Sequence, residues 1–333
     1  MRGPSMRPLR ILRFAALTIG VLLALVAGAA IALDTAWGKR MLLAQLGSWL
    51  AQDKIALETE GVAGSIWDRF TIDSIVLSDE SGIFATIDDL VFDWQPSRLF
   101  AGELAIETLA ADRVAVDRLP PVPTASEPEP DSGPLLPEPP LDIRIDAFEI
   151  GMLQIGSALA GEAAELTVSG NGAVSSLAQL RIHLDARRLD GVAAEARLDV
   201  EFDAAENHLL LDGRLVEPEG GVIAHALGLE AAPALTATLD GTGPLQDWTG
   251  KFALDGGPDL SAALDVTIAG EEPYRIALSG DAMLVALLPG EWRFLAAPDT
   301  KLDAAFALGE DGTLVIERLN ADNAALNLSL IHI

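Results

Sequence analysis

The stretch Val192-Ala193-Ala194-Glu195-Ala196-Arg197-Leu198-Asp199-Val200-Glu201-Phe202 alternates strictly. Val192, Ala194, Ala196, Leu198, Val200 and Phe202 face one way, while Glu195, Arg197, Asp199 and Glu201 face the other. Successive side chains of a strand point to opposite faces, so this period of two marks a sheet with one dry and one wet side. Leu260, Ala262, Leu264, Val266 and Ile268 repeat the pattern, as do Leu302, Ala304, Phe306 and Leu308. Ala324, Leu326, Leu328 and Leu330 carry it on. The connections are short and polar: Ala205-Glu206-Asn207, Gly256-Gly257-Pro258-Asp259, Gly309-Glu310-Asp311-Gly312. They favour antiparallel neighbours, because parallel strands need a crossover of a dozen or more residues.

Outward from this core, the same reading gives strands at Ile55–Gly61, Arg69–Ser78, Phe84–Asp93 and Glu103–Asp117. Asp79-Glu80-Ser81-Gly82 is a turn, Gln95-Pro96-Ser97 a break, and Ser97–Ala101 one helical turn. Pro120 to Pro140 holds nine prolines in 21 residues, which excludes helix and central strand there and reads as a linker or a surface excursion. Beyond Leu141 helix is expected only at Gly221–Leu229 and Asp281–Leu288, and another helix is expected ahead of the first strand. There Asp34 or Thr35 can cap a helix running to about Ala51. Leu42, Leu46, Trp49 and Leu50 share one face of it, beside Trp37 and Met41, and are expected to pack on the domain rather than on a membrane.

A sheet with one apolar face must bury it against something. Roughly a dozen strands with almost no helix leave two solutions, a sandwich or a trough whose lining meets a ligand. The inward positions are mainly Ala, Leu and Val, and the chain has ten Phe and one Tyr. Sandwich cores are normally filled by larger, interdigitating side chains, so the composition leans to the trough. The fold class expected is therefore mainly β, an elongated, curled antiparallel sheet.

At the N-terminus, Phe14 to Leu33 are twenty residues without a charge, behind Arg2, Arg7, Arg10 and Arg13. As a helix they would span ~30 Å, the thickness of a bilayer's hydrocarbon core. The arginines orient it with the N-terminus in the cytoplasm. Ala27-Gly28-Ala29 and Ala30-Ile31-Ala32 also fit signal-peptidase cleavage, but the run exceeds a usual signal core, which favours a retained anchor. Of 22 basic residues four precede Phe14, leaving 18 against 50 acids and a net −32 for the exported part. Such a field repels nucleic acid. With 50% hydrophobic residues the chain nonetheless folds rather than staying disordered.

No catalytic constellation emerges, so the chain is not expected to be an enzyme or to hold a cofactor or metal. There is no cysteine. His183, His208, His225 and His332 lie apart without metal-ligand spacing, and His183 shares an outward face with Arg181 and Asp185. Asp240-Gly241-Thr242-Gly243 lacks the calcium-loop patterns, and Gly170-Asn171-Gly172 has no following helix or lysine to make a phosphate loop. A Gly-x-Ser-x-Gly elbow is absent.

Several segments carry a resemblance in order along the chain: Thr35-Ala36-Trp37-Gly38; Gly61 through Gly64-Ser65-Ile66-Trp67; Asp93-Trp94-Gln95-Pro96-Ser97-Arg98-Leu99 with Gly102-Glu103-Leu104; and Leu239-Asp240-Gly241-Thr242-Gly243-Pro244-Leu245-Gln246-Asp247-Trp248. Together they resemble the translocation and assembly module TamB family of AsmA-like bacterial envelope proteins. Members are longer, so the resemblance implies an N-terminal fragment. It also implies an inner-membrane-anchored, periplasmic β-groove. The implied roles are phospholipid transport between inner and outer membranes and outer-membrane protein assembly with a TamA-like barrel partner. The alternative is an anchored periplasmic scaffold with a closed sandwich.

On this reading the organisation is a cytoplasmic segment (1–13), an anchor (14–33), a helix plus first groove module (34–119), the Pro-rich stretch (120–140) and a repeated groove (141–333). Leu198, Val200, Phe202, Leu260, Leu264, Val266, Ile268, Leu302 and Phe306 are expected to touch phospholipid acyl chains.

Overall fold

A computed structural model describes residues 34–50, 54–120, 141–175, 179–229, 232–270, 274–288, 293, 300–308, 314–324 and 327–331. The expected anchor at 14–33 and nearly all of the Pro-rich stretch lie outside the described residues, as do the side chains of Leu42, Leu46, Trp49 and Leu50. Among the described residues no helix is long and apolar enough to cross a membrane.

One sheet of 16 strands runs through the molecule in sequence order. The strands are β1 (Ala56–Gly64), β2 (Arg69–Asp79), β3 (Gly82–Trp94), β4 (Glu103–Val116), β5 (Asp142–Ile155), β6 (Ala164–Ser175), β7 (Gln179–Arg188) and β8 (Glu195–Asp203). They continue as β9 (His208–Glu217), β10 (Leu235–Pro244), β11 (Asp247–Asp255), β12 (Ser261–Ala269), β13 (Tyr274–Met283), β14 (Thr300–Leu308), β15 (Leu314–Asp322) and β16 (Asn327–Ile331). Among the described residues the helices are α1 (Ala36–Leu50), α2 (Ser157–Ala160) and α3 (Val222–Ala226). Short 3-10 turns occupy Pro96–Ala101 and Val285–Leu287.

The sheet stays open. Apart from neighbouring strands, the element pairs in substantial contact are α1 with β1, β4 with the Pro96–Ala101 turn, and α2 with α3. Among the described residues no second sheet covers the first, which corrects the closed-sandwich alternative.

The all-antiparallel expectation also needs correction at one junction. β4 and β5 pair in parallel, Glu103 opposite Asp142 and Val116 opposite Ile155. The chain from 117 to 141 must therefore return to the end where β4 began, which fits the length a parallel step requires. β4 and β5 are neighbours in the one sheet although the Pro-rich stretch separates them in sequence.

Helix α1 begins where the capping chemistry places it. Thr35 Oγ1 accepts from Gly38 N at 3.2 Å, and Lys39 N donates to the Thr35 carbonyl at 3.0 Å. Of the two cap candidates Thr35 takes the role. Asp34 reaches instead to the loop after β1, where its Oδ1 accepts from Ile66 N at 2.8 Å.

Candidate functional site

The registers of all fifteen strand junctions connect into one transverse row. It runs Gly64, Phe70, Phe92, Leu109, Phe148, Gly170, Leu184 and Leu198 through the first eight strands. It continues as Gly213, Leu239, Phe252, Leu264, Gly280, Leu302, Ala321 and Leu328. Each residue lies directly opposite the next, and none is polar. At ~4.8 Å per strand the row is roughly 70 Å long. Residues further along the strands form parallel rows: Ile182, Val200 and Leu211 two places away, and Ile276, Phe306 and Ile316 further out, past the register shift between Ala305 and Phe306.

Bulges keep the row apolar where strict alternation fails. In β5 the apolar side is carried by Ile143, Ile145, Phe148, Ile150, Leu153 and Ile155, with register shifts at Ile145/Phe148 and Ile150/Leu153. Each shift inserts a residue that would otherwise turn the rest of the strand inside out.

Eight of the nine residues expected to line the trough fall on this face. Leu198 meets Leu184, Val200 meets Ile182 and Phe202 meets Leu180. Leu264, Val266 and Ile268 meet Phe252, Gly250 and Trp248, while Leu302 and Phe306 meet Gly280 and Ile276. Leu260 differs: it precedes β12 and is enclosed with Ala224, Leu229 and Leu235 beneath the α3 connector. Leu184 and Leu198 keep 37% and 38% of their surface exposed, so protein does not cover the middle of the face. An apolar patch of this extent marks an interaction surface.

One margin of the face is walled. β5, β9 and β13 run the same way, so α2, α3 and the Val285–Leu287 turn that follow them share that margin. Ala160, Ala164, Ala224, Leu229, Leu235 and Leu260 are buried there. The Glu217 carboxylate, itself buried, accepts from Ile223 N at 2.8 Å and Ala224 N at 3.0 Å, fixing the start of α3. The sequence reading missed this cap, because the carboxylate precedes the helix by an unusual distance. His225 on α3 lies against Gly161 behind α2, leaving no room for a Cβ at Gly161.

Trp248 is buried at the face's other end. Its ring lies over Gly241 and Gly250, and its indole N–H donates to the Leu209 carbonyl at 3.0 Å. A Cβ at Gly241 would stand 2.1 Å from the ring, so glycine is required there.

The opposite face is polar. Arg214 pairs with Glu195, Arg275 with Glu317, and Arg318 with Asp303. His183 sits between two carboxylates, with Nδ1 2.5 Å from Asp199 and Nε2 2.7 Å from Asp185. The Asp199 hydrogen bond, helped by both negative charges, holds the imidazole pKa above its ordinary value. The three arginine pairs are largely solvent-exposed and stabilise the sheet only weakly, whereas the His183 cluster is part-buried.

The chain is thus an open, single-layer β-sheet with one continuous apolar face and one charged face, the apolar one uncovered at its middle among the described residues. The family model for the TamB N-terminal domain matches residues 24–196, just over half of the 333 residues. The chain belongs to the TamB family. Neither the curated proteins nor the solved structures gave a match.

Proposed function

We propose that the chain carries phospholipid, its acyl chains lying along the apolar face of β1–β16 and its headgroups toward solvent. The unbroken row from Gly64 to Leu328 carries this reading. Each buried CH₂ gains ~0.8 kcal/mol, so two acyl tails gain far more than thermal energy wherever they lie along the face. The contact between α2 and α3 supports a curled sheet. Their insertion points are four strands apart, ~19 Å on a flat sheet, yet His225 touches Gly161. Leu198, Val200, Phe202, Leu264, Val266, Ile268, Leu302 and Phe306 are the proposed acyl contacts.

Family membership supports the setting: an envelope protein anchored in the inner membrane by residues 14–33, single-pass, with its bulk in the periplasm. Its work there would be phospholipid movement between the two membranes and outer-membrane protein assembly with a TamA-like barrel, without chemistry of its own. The test is capture by photo-crosslinkers in purified protein. Val200 should trap phospholipid, identified by mass spectrometry, while Asp199 and Glu201 on the charged face should not. Equal labelling of both faces would overturn the reading.

A further inference from the structure

A cavity of about 870 Å³ opens between α1 and β1. Lys39, Arg40 and Leu43 line it from the helix, and Lys54, Leu57 and Val62 from the strand side. None of its lining residues is acidic, although the chain holds 50 Asp and Glu. Leu57 and Val62 are half-buried and both line the cavity, with Gly61 at φ +68° breaking the alternation of β1 between them, and Val62 lies two places before Gly64 of the apolar row. Glu58 and Glu60 are exposed and do not line the cavity. The cavity thus joins a cationic rim to the beginning of the apolar face.

The three cations are not equally committed. Lys39 is mostly enclosed, held by the Gly64 carbonyl and by Asp34 at 3.5 Å. Lys54 pairs with Glu80 at 3.2 Å, but both side chains are about three-quarters exposed, so the pair is weak and exchangeable. Arg40 is exposed and makes no ion pair among the described residues. One turn of helix away, Trp37 and Met41 stand out from the protein, 68% and 56% exposed. Such residues suit a membrane–water boundary.

We propose that this cavity is a headgroup site, holding the phosphate of one glycerophospholipid between Arg40 and Lys54 while its acyl chains lie on Leu57 and Val62. The proposal rests on the lipid-carrying reading of the apolar face. Guanidinium and ammonium give charge-assisted hydrogen bonds to a phosphate, and the strongly acidic chain offers few other places for one. The headgroup is then fixed at the first strand, with the tails aligned on the row that continues to β16.

The test uses the full chain in mixed micelles containing either phosphatidylglycerol or diacylglycerol with the same acyl chains. One photo-crosslinker replaces Ala44, inside the cavity, and another replaces Val200, on the distant face. Ala44 should capture phosphatidylglycerol in preference to diacylglycerol. Arg40→Glu should lower that capture roughly fivefold and the double change with Lys54→Glu further, whereas Arg40→Gln should fall between. Lys251→Glu, the same charge change on the far polar face, should leave it unaltered.

Retained capture at Val200 shows in every variant that the sheet is folded. Equal capture of diacylglycerol at Ala44, or capture indifferent to the charge reversals, would overturn the headgroup site and leave the lipid-carrying face standing. Inorganic phosphate at matched concentration should not displace the lipid, and full displacement would assign a free-phosphate site instead. Absence of lipid at Val200 would remove the carrying function, and this proposal with it.

Discussion

The indole N–H of Trp94 donates to the carbonyl of Ile66 at 2.8 Å. The N–H of the same Ile66 donates to Asp34 at 2.8 Å, so one peptide segment is held from both sides. Three separate sequence motifs meet there: the helix start at Thr35–Gly38, the Gly61–Trp67 loop and the Asp93–Leu99 break. Trp248 repeats the device with the Leu209 carbonyl.

Trp94→Phe keeps an aromatic ring but deletes the donor and part of the indole, leaving the part-buried Ile66 carbonyl without its partner. The expected loss is about 1–2 kcal/mol. Thermal unfolding followed by circular dichroism should show a lowered midpoint with an unchanged native spectrum.

Asp34 adds a pH dependence to the same clamp. The Ile66 N–H, with Ser65 and Lys39, holds its carboxyl below the ordinary 3.8. A depressed carboxylate contributes stability that is present above its unfolded pKa and lost as pH falls through the folded one. Asp34→Asn should therefore destabilise at pH 7, and the difference from the parent should shrink below pH 4. A difference constant down to pH 2 would contradict the assignment.

His183 runs the opposite way. Its pKa is raised above 6.5 by Asp199 and Asp185, so its contribution is full below 6.5 and fades as pH climbs through the folded value. His183→Gln should lower the midpoint at pH 5.5 and do little at pH 9. Asp199→Asn should move the imidazole titration, read by NMR, back toward its ordinary value.

The Trp248 contact predicts non-additivity. Gly241→Ala should destabilise by about 1–3 kcal/mol, since the new methyl overlaps the ring. With Trp248→Ala already in place the added loss should be smaller, a coupling that a double-mutant cycle measures. Simple addition would show that the ring is not the obstacle.

Charges on the apolar face should separate folding from carrying. Leu198, 38% exposed, can become arginine with its head snorkelled to the rim, so Leu198→Arg should fold normally yet load less lipid at Val200. Leu264, 9% exposed among Ala262, Ala282, Phe252 and Leu302, has no such route, and Leu264→Arg should cost several kcal/mol.

Strands such as β8 and β12 were legible because each carries one unbroken alternation, and Leu198 to Phe202 or Leu264 to Ile268 keep the faces the pattern assigned. β5 was harder, since its bulges break the period while preserving the face. The sequence pattern extended helix over Asp281–Leu288, but β13 continues to Met283 and only Val285–Leu287 turns. Leu260 obeys the period of β12 yet lies before the strand, where α3 covers it: periodicity reports a face, not what lies above it. The cavity beside Arg40 was invisible, because Lys54 and Arg40 come together only once α1 lies along β1.

The parallel step between β4 and β5 works as a phase shift. In an uninterrupted up-and-down array β5 would run the other way, and α2, α3 and the Val285–Leu287 turn would all rise from the opposite margin. The direction of β5 relative to β4 therefore decides which margin of the sheet carries these connectors. The Pro96–Ala101 turn, ahead of the shift, sits on the other lip. Replacing residues 117–141 with a tight hairpin would leave every strand's alternation intact and still build the mirror assignment of walls.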